Sequence, residues 1–257
     1  MQLSVESPIL IVVALFCALV LGVFADQGSF ERRLLHSDPA SLPGNEYLLG
    51  RAAMVGKALF ESYCVACHGS AARGDSSKGI PDLTDSDWLY GSGQISDIER
   101  VVTYGIRSRN PKALNFAIMP AFGRVRPSPT NDKIAPLSPA DVNDVIDFIY
   151  QQQHRPSDAL AAERGSAIYY SRGACFDCHT TDLRGDPEIG APNLIDEVTL
   201  YGSGGRESLF LSITIGRQGV CPAWIRKISP AGIRSVSVFV YSLSHPRSSQ
   251  HAKLQSD

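Results

Sequence analysis

Two short stretches carry the chemistry: Cys64-Val-Ala-Cys67-His68 and Cys175-Phe-Asp-Cys178-His179. Two thiols separated by two residues and followed at once by histidine form the attachment signal for c-type haem. The thiols add to the porphyrin vinyl groups, and the adjoining imidazole is held under the iron as its proximal ligand. This chemistry assigns Cys64, Cys67, Cys175 and Cys178 to two covalently bound haem c groups, with His68 and His179 as iron ligands. A redox dithiol or half a zinc site would leave both histidines unexplained. Covalent attachment of this kind takes place outside the cytoplasm, so the body of the chain belongs there.

The two motifs lie 111 positions apart, and the same offset carries other stretches onto one another. Pro81-Asp-Leu83 falls on Pro192-Asn-Leu194, Leu89-Tyr-Gly-Ser-Gly93 on Leu200-Tyr-Gly-Ser-Gly204, and Gly105 on Gly216. One register across four separated motifs indicates a tandem duplication. Each copy supplies the elements that must position its site. A helix precedes each cysteine pair, over 46–63 and 157–171. In the first of these, Leu48, Leu49, Ala52, Val55, Leu59 and Phe60 make an apolar stripe at helical spacing. A Gly/Ser/Asp-rich loop follows, then a short helix over 96–105 or 206–215. The closing helices begin at Ser138-Pro139 and Ser229-Pro230, each a capping residue before a first-turn proline. Strand signals are weak, and only 235–241 is β-branched enough to be ambiguous. A proline carbonyl at Pro81 or Pro192 suits the second ring nitrogen of the proximal histidine. Tyr90 and Tyr201 are candidates to reach haem propionates.

The rest of the chain sets bounds. It has 257 residues, a formal net charge of −2, six cysteines and three methionines. No long basic run supports nucleic-acid binding. Pro8–Ala25 is uncharged and apolar, at the lower edge of membrane-spanning length. It also resembles a signal-peptide core, with Val23-Phe24-Ala25 as a cleavage site. Arg32 and Arg33 after it would place the following chain in the cytoplasm; haem attachment demands the opposite and outweighs two arginines beside Glu31. The expected organisation is therefore an anchor or signal over residues 1–25, a linker over 26–45, haem domains over 46–154 and 155–245, and a polar tail over 246–257.

Ala191-Pro-Asn-Leu194, Tyr201-Gly-Ser-Gly204, Gly216-Arg-Gln-Gly-Val-Cys-Pro-Ala-Trp224 and Val240-Tyr-Ser-Leu-Ser244 closely resemble the second haem domain of the di-haem subunit (subunit III) of cbb3-type cytochrome c oxidases. Pro81-Asp-Leu-Thr-Asp85 and Trp88-Leu-Tyr-Gly-Ser-Gly93 resemble the first domain of that family. The resemblance covers residues 46–245. It implies an all-α fold of two tandem class I cytochrome c-like domains after an N-terminal apolar segment. It also implies transfer of single electrons from a soluble cytochrome donor to the catalytic subunit of a bacterial inner-membrane oxidase, on the periplasmic side. The family's methionine-proline-alanine motif falls on Met119-Pro-Ala-Phe122, making Met119 the sixth ligand of the first haem.

The equivalent position of the second copy is Cys221, and no methionine follows His179. Four readings stay open: Cys221 binds the second iron as a thiolate; that iron is five-coordinate; Lys227, His245 or His251 substitutes; or Cys221 is redox-reactive without binding iron. A crossing by Met54 is a further option. The loop 106–118 of the first copy is longer and carries Arg107, Arg109 and Lys112, either solvated or facing propionates or an acidic partner. At the level of function an electron relay stands beside two rivals. One is a periplasmic enzyme oxidising a thiosulfate-like compound at a His/Cys-ligated haem, and the other a gas sensor with an open iron.

Overall fold

The chain runs through α1 (Pro8–His36), a 3-10 turn (Pro39–Gly44), α2 (Glu46–Tyr63), α3 (Val65–His68), α4 (Ile95–Tyr104), α5 (Pro139–Gln152), α6 (Ala159–Tyr169), α7 (Phe176–His179), α8 (Arg206–Ile215) and α9 (Pro230–Ser244). The computed structural model describes residues 8–127, 133–196 and 198–245. The expected tail over 246–257, with His251, lies outside them. Among the described residues the extended pairing comprises one two-residue antiparallel ladder, Arg126–Pro127 with Lys133–Ile134, and isolated bridges such as Ile106 with Cys221 and Met119 with Arg217.

Local chemistry sets the helix starts. Asn45 accepts a hydrogen bond from Leu48 N at 3.0 Å and opens α2, and Asp158 accepts from Ala161 N at 2.8 Å and opens α6. Ser138 and Asp141 form a reciprocal capping box at the head of α5, with proline in its first turn. Ser229 caps α9 by accepting from Gly232 N at 3.1 Å, again before a first-turn proline. Residues 235–241, ambiguous in sequence, are helical within α9.

Packing does not follow chain order. Helix α2 packs on α9, and so does α4, whereas α5 packs on α6 and α8. One core joins Leu48, Ala52, Phe60 and Ile95 to Val236, Val238 and Val240, with Cys64 at its edge. The other joins Val142, Val145, Ile146 and Phe148 to Ala162, Ile168, Tyr169 and Ile213, with Cys175 and Met119 at its edge. Thus each half of the sequence gives its closing helix to the other. The expected contiguous units, 46–154 and 155–245, are replaced in the packing by two interleaved ones.

Backbone hydrogen bonds explain the exchange. In the first direction Met119 N, Phe122 N and Gly123 N donate to the carbonyls of Arg217, Ile213 and Thr214. In the second, Cys221 N, Trp224 N and Ile225 N donate to the carbonyls of Ile106, Val102 and Thr103. Each loop therefore pairs with the exit of the other half's helix. Gly105 and Gly216, at φ +76° and +72°, are what permit this: a Cβ on either would overlap the Cys221 or Met119 carbonyl. Once a loop has crossed, the closing helix that follows it must land on the far side.

Residues 26–45 are a docked segment and not an exposed linker. Phe30, Leu34 and Leu42 are fully buried in the first core, each contributing about 2 kcal/mol. Upstream, Val12, Val13, Leu15, Phe16, Leu19, Leu21, Val23 and Phe24 are exposed, at 51–71%. Among the described residues no helix is long and apolar enough to cross a membrane.

Two outcomes follow from the interleaving. A chain ending at residue 228 keeps α2, α4 and the helices that occupy α5 but loses α9, so calorimetry should show no cooperative unfolding of its Cys64–His68 unit. Gly56→Ala drives a methyl into the Ser235 carbonyl where α2 crosses α9. It should destabilise the full chain by about 3 kcal/mol, read as a lowered denaturation midpoint.

Candidate haem sites

The first site is built at the end of α2. Cys64 caps that helix, α3 turns His68 inward, and the segment around Cys221 and Trp224 arrives from the other half. His68 Nδ1 lies 3.4 Å from the Pro81 carbonyl oxygen. Tyr63 and Trp224 meet edge to face with ring centroids 5.4 Å apart, fastening the arriving loop beside the cysteine pair. The second site repeats this with the other partner. His179 is buried and its Nδ1 lies 3.0 Å from the Pro192 carbonyl oxygen. Met119 packs in the same cluster as Cys175, Phe176 and Leu194.

A carbonyl oxygen only accepts, so each Nδ1 carries the proton and each Nε2 keeps its lone pair for a ligand. Burial holds both imidazoles below their ordinary pKa, the proline carbonyls opposing. The neutral form is the one that coordinates a metal. Burial also pushes the Cys64 and Cys175 thiols up to about 11. Cys221 goes up to about 12, first from burial and then from the fields of Cys64 and Cys67. Those two neighbours fix its position: Cys221 stands by the first cysteine pair, and Met119 by the second. The sequence expectation had them the other way round, because it assumed that each loop stays in its own half.

Of the remaining candidates, Met54, His245 and Lys227 are among the described residues. Met54 is 70% exposed. His245 stacks on Tyr241 with centroids 4.1 Å apart and its Nδ1 lies 3.0 Å from the Tyr241 carbonyl. Lys227 Nζ lies over the Trp224 ring at 5.4 Å.

Between the sites the halves meet through reciprocal contacts. The Tyr90 ring covers Gly190 and the Tyr201 ring covers Gly79, each leaving no room for a Cβ. Gly91 N donates to Pro187 O at 3.0 Å, and Gly202 N to Ser76 O at 2.9 Å. Both tyrosines are engaged by arginines: Arg107 Nη1 donates to Tyr90 Oη at 3.1 Å, and Arg217 lies 4.3 Å over the Tyr201 ring. Arg107 also donates to the carbonyls of Gly219 and Ala117 at 2.5 and 3.0 Å. It thereby ties its own long loop to the loop arriving from the other half. Sequence reasoning noted Arg107 but missed this role, and its only signal was a cation in the longer copy of a repeated loop. Arg126 was missed entirely. Its guanidinium stacks on Phe122 at 4.2 Å near Cys175, and its buried Nε has no partner among the described residues.

The donor set fits haem c. All four motif cysteines are free, each pair adjoins one imidazole with an open Nε2, and a soft sulfur side chain stands by each pair. A closed zinc site needs four ligands, and among the described residues no group of three or more His, Cys, Asp or Glu could hold a metal ion.

The cytochrome c family matches residues 53–153. Over 205 residues the chain is 36% identical to the cbb3-type cytochrome c oxidase subunit FixP of Bradyrhizobium sp. (strain ORS 278), covering 79% of this chain and 65% of that protein. It is 34% identical over 215 residues to the subunit CcoP of Cereibacter sphaeroides, covering 84% and 69%. It is 36% identical over 200 residues to FixP of Azorhizobium caulinodans, covering 77% and 62%. The chain thus spans about two thirds of the length of these relatives. With two attachment motifs and this kinship, it carries two covalently bound haem c groups.

The junction yields a pH prediction. Asp85 and Asp196, mates at the 111-residue offset, are both raised above the usual carboxylate pKa by burial, and for Asp85 also by the fields of Asp82 and Asp196. A folded-state pKa above the unfolded value makes the charged carboxylate a penalty at neutral pH. That penalty disappears as pH falls through the folded pKa. Asp85→Asn should therefore raise the melting temperature at pH 7, and the gain should shrink to nothing at acidic pH.

Proposed function

The chain belongs to the family of the cbb3-type cytochrome c oxidase subunits FixP and CcoP, and on that premise we propose that it relays single electrons from a soluble redox donor to a membrane respiratory oxidase. Each haem, when bound, supplies a one-electron couple at its iron. The protein's part is to hold, orient and bury. Cys64 and Cys67 hold the first group and Cys175 and Cys178 the second, with His68 and His179 as proximal ligands. The Pro81 and Pro192 carbonyls fix the ring orientations and raise ligand basicity. Following the crossed loops, Cys221 would offer its sulfur to the first haem and Met119 to the second. A thiolate donates electron density more strongly than a thioether and lowers the potential of the site that carries it.

The observation that carries this reading is the pair of like sites locked to each other through Tyr90, Tyr201 and the exchanged loops. A relay needs two cofactors at a fixed separation, and a rigid shared junction supplies it. Oxidation of a thiosulfate-like compound at the Cys221 site is the second reading, and the named relatives, all oxidase subunits, favour the relay over it. No described helix is long and apolar enough to cross a bilayer, but the exposed apolar side chains between Val12 and Phe24 support seating this stretch of α1 in the lipid of the bacterial inner membrane as an anchor, with the haem units on the periplasmic side.

Purified protein should give two haems per chain by pyridine haemochrome assay, and fewer than two would overturn the relay. Electron paramagnetic resonance tests the crossed ligands. A Cys175→Ala, Cys178→Ala chain should keep a low-spin thiolate signal, since Cys221 serves the other site, and a further Cys221→Met change should abolish it. Loss of that signal already in the first variant would restore uncrossed ligation. Met119→Ala should open the second site, so that the reduced protein binds carbon monoxide there. Reduction by thiosulfate without a protein donor would favour the enzyme reading.

A further inference from the structure

The contacts of α1 below its apolar stretch point to a device that the relay reading does not contain. The helix continues unbroken from Pro8 to His36, straight through Ala25 and Asp26. Its docking begins at once. Asp26 pairs with Arg51 at 2.7 Å, Gln27 accepts from Arg51 Nη2 at 3.2 Å, and the same guanidinium lies 4.5 Å over the Phe30 ring. One turn on, Leu34 is fully buried against α2 and α9.

The C-terminal end of the helix is held as well. The last carbonyls of an α-helix have no partner within it. Here Arg234, buried on α9, donates through Nη1 to Leu34 O at 3.3 Å and Ser37 O at 3.0 Å. Its Nε is paired with Glu99 on α4 at 2.5 Å. A single guanidinium therefore joins the end of α1 to two helices of the first haem unit, and the positive charge suits that helix end. All these partners belong to the unit that holds Cys64 and Cys67; Arg51 is on α2.

We propose that α1 and the first haem unit form one rigid body, a mast that fixes the Cys64/Cys67 haem in height and tilt over the membrane. This rests on the reading that Pro8–Ala25 enters the bilayer. At 1.5 Å per residue, Phe24 to Leu34 spans about 15 Å, so the unit is clamped close above the bilayer surface. The second haem unit is then positioned through the first, by the exchanged loops and the tyrosine junction. The mast also requires the mature chain to keep Pro8–Ala25, because cleavage after Ala25 would leave a docked stub with no anchor.

The test uses the full-length, haem-loaded protein in phospholipid nanodiscs, in a Cys221→Ser background. One nitroxide is placed on Cys17, exposed on α1, and another on Ser70→Cys, exposed beside the first site. Pulsed dipolar spectroscopy should give one narrow distance distribution. Three glycines inserted after Gly28 should broaden it severalfold, and Arg234→Leu should broaden it less. A broad distribution in the uninserted chain, or one that the glycine insertion leaves unchanged, overturns the proposal. So does a mature N-terminus at Asp26. Failure of the protein to float with phosphatidylcholine vesicles would sink the membrane reading alone; the spectroscopy, repeated in detergent, would still decide whether α1 is clamped.

Discussion

The arrangement depends on where two loops find partners for their backbone. Peptide N–H groups drawn against another segment need partners, and those of Met119, Phe122 and Gly123 are paired by the exit of α8, those of Cys221, Trp224 and Ile225 by the exit of α4. Each half carries an equivalent edge of its own, but that edge is taken by the loop of the other half. From this one constraint follow the crossing of the closing helices, the two mixed cores and the position of each sulfur side chain. Gly105 and Gly216 are small details in themselves, but without their bare backbone the loops could not come so near.

Much of this was legible in the sequence. The attachment motifs, the 111-residue register and the proline-capped starts of α5 and α9 are local signals, and local structure follows them. The proline carbonyls meet the histidine rings as expected, since both sit in the same short loop. The crossing was not legible, for a specific reason. In a duplicated sequence the apolar face of α2 matches α5 about as well as α9, because both closing helices carry the same stripe. Periodicity says which face is buried and not against which copy. The docking of 26–45 left a trace that could have been read: Phe30 and Leu34 are one turn apart on a helix, with Leu42 beyond. The apolar run before them and the charges between them drew attention away.

The near-symmetry also isolates what differs between the sites. Loop path, proximal geometry and tyrosine junction are shared, and the offset that brings Phe122 onto Trp224 also brings Met119 onto Cys221. Any difference in redox behaviour must then come from few sources. These are the distal sulfur, the lining side chains and the charges nearby, such as Arg126 at Cys175.

The exchanged closing helices have a consequence for assembly. Two separate copies of one half could build the same body only by trading arms, as a swapped dimer does, and such a dimer falls apart on dilution. Joining the copies through the segment around Gln153–Ser157 makes the encounter intramolecular, with the second arm present at the effective concentration a short tether imposes. The pairing of the haem units is then independent of how much of the protein the cell makes, and one-to-one stoichiometry is written into the polypeptide.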